Sequence, residues 1–66
     1  MTITVNGEVR EIESGLQVAE LLRSLSLPDK RVAVELNGNV VSRGEWALTD
    51  ITQGDRLEIV HFVGGG

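Results

Sequence analysis

The chain has 66 residues, 41% of them apolar, and a net charge of −4 from ten acidic and six basic side chains. A domain this short buries only about 60% of the surface its unfolded form exposes. With no cysteine and one histidine, it has neither a disulfide nor a zinc site to staple it, and scattered carboxylates leave at most a weak oxygen-ligated cation.

Stability must come from one packed core. The basic residues Arg10, Arg23, Lys30, Arg31, Arg43 and Arg56 are dispersed along the chain, which removes the clustered cationic surface that nucleic-acid binding needs. The opening stretch MTITVNGE has no basic n-region and no long apolar run. No signal peptide or membrane span is expected there, and with zero cysteine the expectation is a cytoplasmic protein.

Ile3 and Val5 alternate with polar neighbours and lead into Asn6-Gly7. Asn-Gly between strand-like runs is a strong hairpin signal, because both residues tolerate the positive φ of a type I′ turn. Glu8 to Ile12 is the returning strand, with weak alternation. Val18, Leu21, Leu22 and Leu25 then fall at i, i+3, i+4 and i+7, one face of a helix. Gln17 and Glu20 form an imperfect capping box, Leu16 and Leu21 have the spacing of a hydrophobic staple, and Pro28 ends the helix at or before Leu27. So short a helix is marginal alone in water, so its leucine face must pack on a sheet.

The third strand is Arg31 to Leu36, with Val32, Val34 and Leu36 on one face and Ala33 and Glu35 on the other. Asn37-Gly38 repeats the turn signal, and Asn39 to Val41 is short enough for an edge strand. Residues 42–52 read as irregular, with a helical turn around Trp46. Thr52-Gln53-Gly54-Asp55 is turn chemistry, and Arg56 to Val63 is the last strand. Hairpin, helix, strand pair and last strand give an α+β order written ββαββ. One helix laid across a mixed sheet, with the last strand beside the first, is the β-grasp arrangement. The expected division is a β-grasp domain over residues 1–63 and a flexible glycine tail over residues 64–66.

Few residues are suited to catalysis. Ser14, Ser24, Ser26 and Ser42 lack a nucleophile-elbow context, and His61 is a strand histidine with no partner in the sequence to orient it. The pairs Glu11/Glu13 and Asp50/Asp55 read as solvated charges, and Trp46 as a plug over one end of the core that needs a partner for its indole N–H. No phosphate-binding glycine motif occurs.

The last strand carries the functional signal. If Leu57 and Ile59 face the helix, Val60 and Phe62 face the opposite side of the sheet, next to Gly64-Gly65-Gly66. An apolar outer face beside such a tail suggests a surface for a partner. Glycines lack Cβ and can thread a narrow channel. The group they would deliver is the α-carboxylate of Gly66, ionised at neutral pH and a poor electrophile until a partner activates it, as an acyl-adenylate for example. The chain is then a carrier and not an enzyme.

ITVNGE at the start, VAELL on the helix, VAVELNGNVV on the next hairpin, GEW after it and GDRLEIVHFVGGG at the end together resemble the sulfur carrier proteins of thiamine biosynthesis, the ThiS family. The resemblance covers essentially the whole chain. It departs in Gln17, where a Thr or Ser cap is usual, and in a third glycine before the usual pair. It implies that an E1-like adenylyltransferase of the ThiF type uses ATP and Mg²⁺ to adenylate the Gly66 carboxylate, with no cofactor bound by the carrier. Sulfur from a cysteine-desulfurase relay then makes a thiocarboxylate, which a ThiG-type thiazole synthase consumes. Gly65 and Gly66 carry the tail motif, and Val60, Phe62, Val63, Gly64, Gly65 and Gly66 are the expected partner-contacting residues of a chain monomeric when free. Two alternatives stand beside it: the small subunit of molybdopterin synthase, usually longer and with proline before its tail, and a ubiquitin-like modifier or interaction module.

Overall fold

Two Asn-Gly turns shape the sheet. In the computed structural model, which describes residues 1–26 and 31–62, Asn6 and Gly7 have φ of 51° and 83°, and Asn37 and Gly38 have 52° and 87°. These paired positive values are those of type I′ turns. The first turn joins β1 (Thr2–Val5) to β2 (Glu8–Glu11), with Val5 opposite Glu8. The Ile12 N–H donates to the Met1 carbonyl at 2.8 Å and adds a rung beyond β2. The second turn joins β3 (Val32–Leu36) to β4 (Asn39–Val41), with Leu36 opposite Asn39. Arg31, placed in the third strand from its sequence, precedes β3 with a φ of 64° that a strand does not use.

Between the hairpins lies α1 (Val18–Ser24), which buries Val18, Leu21 and Leu22, with Leu25 half-buried after it. Its first turn is secured from two sides. The Gln17 N–H donates to Glu20 Oε1 at 3.1 Å, the reach-back half of a capping box. The Val18 N–H, otherwise without a partner inside the helix, donates to the Thr49 carbonyl at 3.0 Å. A matching bond from the Ile51 N–H to the Leu16 carbonyl, also 3.0 Å, completes the splice and sets Ile51 into the core. The helix ends at Ser24, with Leu25 as its C-cap, in line with the expected stop at or before Leu27; Pro28, Val63 and the glycine tail of residues 64–66 lie outside the described residues.

Residues Arg43–Leu48, expected to hold a helical turn, form a 3₁₀ helix with Trp46 buried. The indole N–H donates to the Val41 carbonyl at 2.9 Å, which removes the cost of burying it, and the Arg43 guanidinium lies 5.6 Å from the ring centroid. A turn at Gln53-Gly54 then leads into β5 (Arg56–His61).

The sheet order is β2-β1-β5-β3-β4. β5 lies at the centre, parallel to β1 and antiparallel to β3. This is the expected β-grasp, with one correction to its shorthand: β4 and β5 are separate strands, so the order is ββαβββ and the sheet has five strands. The extra strand pairs with the side of β3 that β5 leaves open. One face of the sheet gives Ile3, Val5, Val32, Val34, Leu57 and Ile59 to a core completed by the helix residues, Trp46 and Ile51. β2, whose alternation is weak, is exposed along its whole length.

Candidate functional site

The end of β5 is the candidate site. Leu57 and Ile59 are buried, whereas Glu58, Val60 and Phe62 are exposed, the division expected from their alternation. Val60 and Phe62 keep 55% and 53% of their surface on the outer face of the sheet. Ala33 is opposite Val60, and the Phe62 N–H donates to the Arg31 carbonyl at 2.7 Å, so pairing to the β3 side runs through Phe62. One rung further in, Glu58 faces Glu35, which in turn faces Val40, itself 75% exposed. The face combines an apolar end next to the tail with two carboxylates directly across from each other. Of the expected partner-contacting residues, Val60 and Phe62 come together here. Val63, Gly64, Gly65 and Gly66 lie outside the described residues.

His61 points to the other face, into a shallow cleft of about 270 Å³ lined by Val5, Asn6, Arg10, Leu25 and Ile59. That volume falls below the range of ordinary small-molecule sites. The lining offers neither a hydroxyl nucleophile nor a carboxylate to orient the imidazole, so nothing assembles a triad around it. Among the described residues no three His, Asp or Glu side chains converge as a metal site, and no helix is long and apolar enough to cross a membrane.

The sequence marked Asn6 and Asn37 only as turn residues, yet their side chains hold β5 at both ends. Asn37 Oδ1 accepts from the Arg56 N–H at 2.9 Å, and its amide donates to Asp55 Oδ1 at 3.0 Å. Asp55 Oδ2 accepts from the Thr52 N–H at 2.8 Å. Partial burial pushes the Asp55 carboxyl upward, but the hydrogen bonds from Thr52 and Asn37 outweigh it and hold the group below its ordinary value. At the other end, Asn6 Oδ1 accepts from the Ile59 N–H at 2.7 Å and Asn6 Nδ2 donates to the Ile59 carbonyl at 3.1 Å. These bonds span 53 residues of sequence, and no local pattern announces them.

A mixed five-stranded sheet with one helix across one face, and its last strand at the centre, defines the ubiquitin-like β-grasp class. A family model described as the ThiS family matches residues 3–66. The crystal structure of the thiamine biosynthesis protein ThiS from Geobacter metallireducens superposes with a TM-score of 0.85 at 39% identity, covering all of both chains. The sulfur carrier protein ThiS of Bacillus subtilis is 39% identical over 49 residues, 74% of each chain. A thiazole synthase of Magnetococcus marinus is 42% identical over all 66 residues of this chain, which amount to 20% of that protein's length. The chain thus spans about a fifth of the length of the thiazole synthases it matches. The chain belongs to the ThiS family.

Proposed function

We propose that this chain is a sulfur carrier of thiamine biosynthesis, a co-substrate of partner enzymes and not a catalyst. The observation that carries the reading is the extent of the family match, which runs from Ile3 through Gly66 and so includes the glycine segment. The exposed Val60 and Phe62 at the end of β5 give that segment an apolar face beside it on which an enzyme can seat the carrier.

In this reading an E1-like adenylyltransferase transfers AMP from ATP, with Mg²⁺, to the Gly66 carboxylate and releases pyrophosphate. A persulfide of the desulfurase relay attacks the acyl carbon through its terminal sulfur and AMP leaves; a thiol then cleaves the acyl disulfide so formed, going to a disulfide itself and freeing the acyl-bound sulfur. The thiocarboxylate that results is a carrier-bound sulfur nucleophile. With no cysteine in the chain, Gly66 is where the sulfur is held. Thiazole synthase is the proposed acceptor. In two proteins named thiazole synthase, a segment matching this whole chain belongs to the same polypeptide, an arrangement that raises the local concentration of one functional unit at the other.

The test is intact-protein mass spectrometry after incubation with ATP, Mg²⁺, a ThiF-type adenylyltransferase and a sulfur donor. The expected product is heavier by the difference between sulfur and oxygen, with the change localised to Gly66. An unmodified chain beside an adenylyltransferase active on its own carrier would overturn the proposal. Attachment to protein lysines would point to a modifier instead.

A further inference from the structure

β1 and β5 run parallel but do not end together. β1 turns back at Asn6-Gly7 to form β2, while β5 continues toward the glycines. The parallel ladder is regular up to that point: the Thr4 N–H donates to the Asp55 carbonyl at 3.0 Å and the Asn6 N–H to the Leu57 carbonyl at 2.9 Å. The next rung would need a backbone carbonyl and a backbone N–H from β1 to meet Ile59. The Asn6 side-chain amide takes that place, accepting from the Ile59 N–H at 2.7 Å and donating to the Ile59 carbonyl at 3.1 Å. It thus stands in for a peptide group that β1 no longer supplies. A type I′ turn alone does not require this, since Asp-Gly and Gly-Gly make the same turn. Of Asn, Asp and Gly, only Asn, with its primary amide, provides both the acceptor and the donor at neutral pH.

We propose that Asn6 is a positioning residue of the carrier reaction: its amide fixes β5 at Ile59 and so pre-orders His61 and Phe62, the last described residues before the glycines. The proposal rests on the carrier reading above. Without the amide, β5 is held on its β1 side only as far as Leu57, and the whole stretch from Ile59 to Phe62 is tied to the sheet by its β3-side bonds. An enzyme that draws the glycines into a channel must then order those residues itself, and pre-organisation lost from the free carrier appears as weaker binding. Chemistry at the bound carboxylate is unaffected, because Asn6 does not touch it. The signature is therefore a raised KM for the carrier at constant kcat.

The experiment compares the full chain with Asn6→Gly, which keeps the turn and loses both bonds, and Asn6→Asp, which keeps the turn and the acceptor for the Ile59 N–H. Adenylation is followed by ATP–pyrophosphate exchange with a ThiF-type adenylyltransferase, well below the melting temperature of each variant. Backbone ¹⁵N order parameters of His61 and Phe62 are measured in parallel. Asn6→Gly is expected to lower those order parameters and raise KM by at least about three- to tenfold, the equilibrium weight of one of the two hydrogen bonds it loses, with kcat unchanged. Asn6→Asp should fall between it and the wild type. An Asn6→Gly chain that adenylates with the wild-type KM overturns the proposal, whether or not its order parameters change. A fall in kcat alone overturns it too. A wild-type chain inert toward an enzyme active on its own carrier overturns the carrier reading first, and the role of Asn6 with it.

Discussion

Replacing Leu22 with Ala tests the packing on which the site stands. Leu22 is 3% exposed and lies on the helix face with Val18 and Leu21, both 0% exposed. Removing three carbons from such a position costs about 0.8 kcal/mol each in transfer free energy, or roughly 2.4 kcal/mol. A cavity term of about 24 cal/mol per Å³ over the roughly 50 Å³ left by incomplete collapse adds about 1 kcal/mol. The expected loss is thus about 3–4 kcal/mol, against a total stability of roughly 3–10 kcal/mol for a domain of this size. At about 4–8 °C per kcal/mol, Tm should fall by roughly 12–30 °C. Differential scanning calorimetry measures this directly, and urea titration should show a lower midpoint at an unchanged slope. A Tm within about 2 °C of wild type, less than a 1 kcal/mol change produces, would refute the assignment of this face to the core.

Trp46→Phe keeps an aromatic plug but leaves the Val41 carbonyl without its donor. It should cost about 1–3 kcal/mol in chemical denaturation, and an unchanged midpoint would mean that the bond adds nothing. Asp55 is depressed in the folded state, so in acid the unfolded chain binds the proton more readily. Its contribution is therefore present above about pH 4 and is lost as pH falls through the lower folded value. Asp55→Asn should flatten that acid limb in a pH series of melting curves, and an unaltered limb would assign acid sensitivity to other carboxylates. Phe62→Ala should weaken binding to the proposed adenylyltransferase by more than it lowers stability, since over half of the side chain is exposed. Calorimetric titration showing equal affinity would remove Phe62 from the interface.

The hairpins, the helix face and the orientation of β5 were legible because each is written in local spacing. Asn-Gly demands its turn, the period of Val18, Leu21, Leu22 and Leu25 demands a helix, and alternation around Leu57 and Ile59 sorts the two sheet faces. Residues 42–52 were harder to read. Trp46 declared that something there is buried, but the bonds joining Leu16 and Val18 to Ile51 and Thr49 connect segments more than thirty positions apart. The roles of Asn6 and Asn37 were hidden for the same reason: a side-chain amide has no periodicity, and its partner on β5 is chosen by the tertiary fold. Alternation set Val60 and Phe62 apart from Leu57 and Ile59, but which set faces outward rested on the condition that Leu57 and Ile59 face the helix. That condition came from core closure and not from any residue of β5 itself.

The strand order has a consequence for synthesis. Among the described residues the two hairpins share no ladder and are joined in the sheet through β5, the last of the described strands and the middle strand of the sheet. A nascent chain that has not yet released β5 from the ribosome has two separate ribbons, each too small to be stable alone. Its long-range pairing waits for the final strand. A molecule that resists proteolysis has therefore already set β5 between its two hairpins, and one that stops short of that strand is open to degradation.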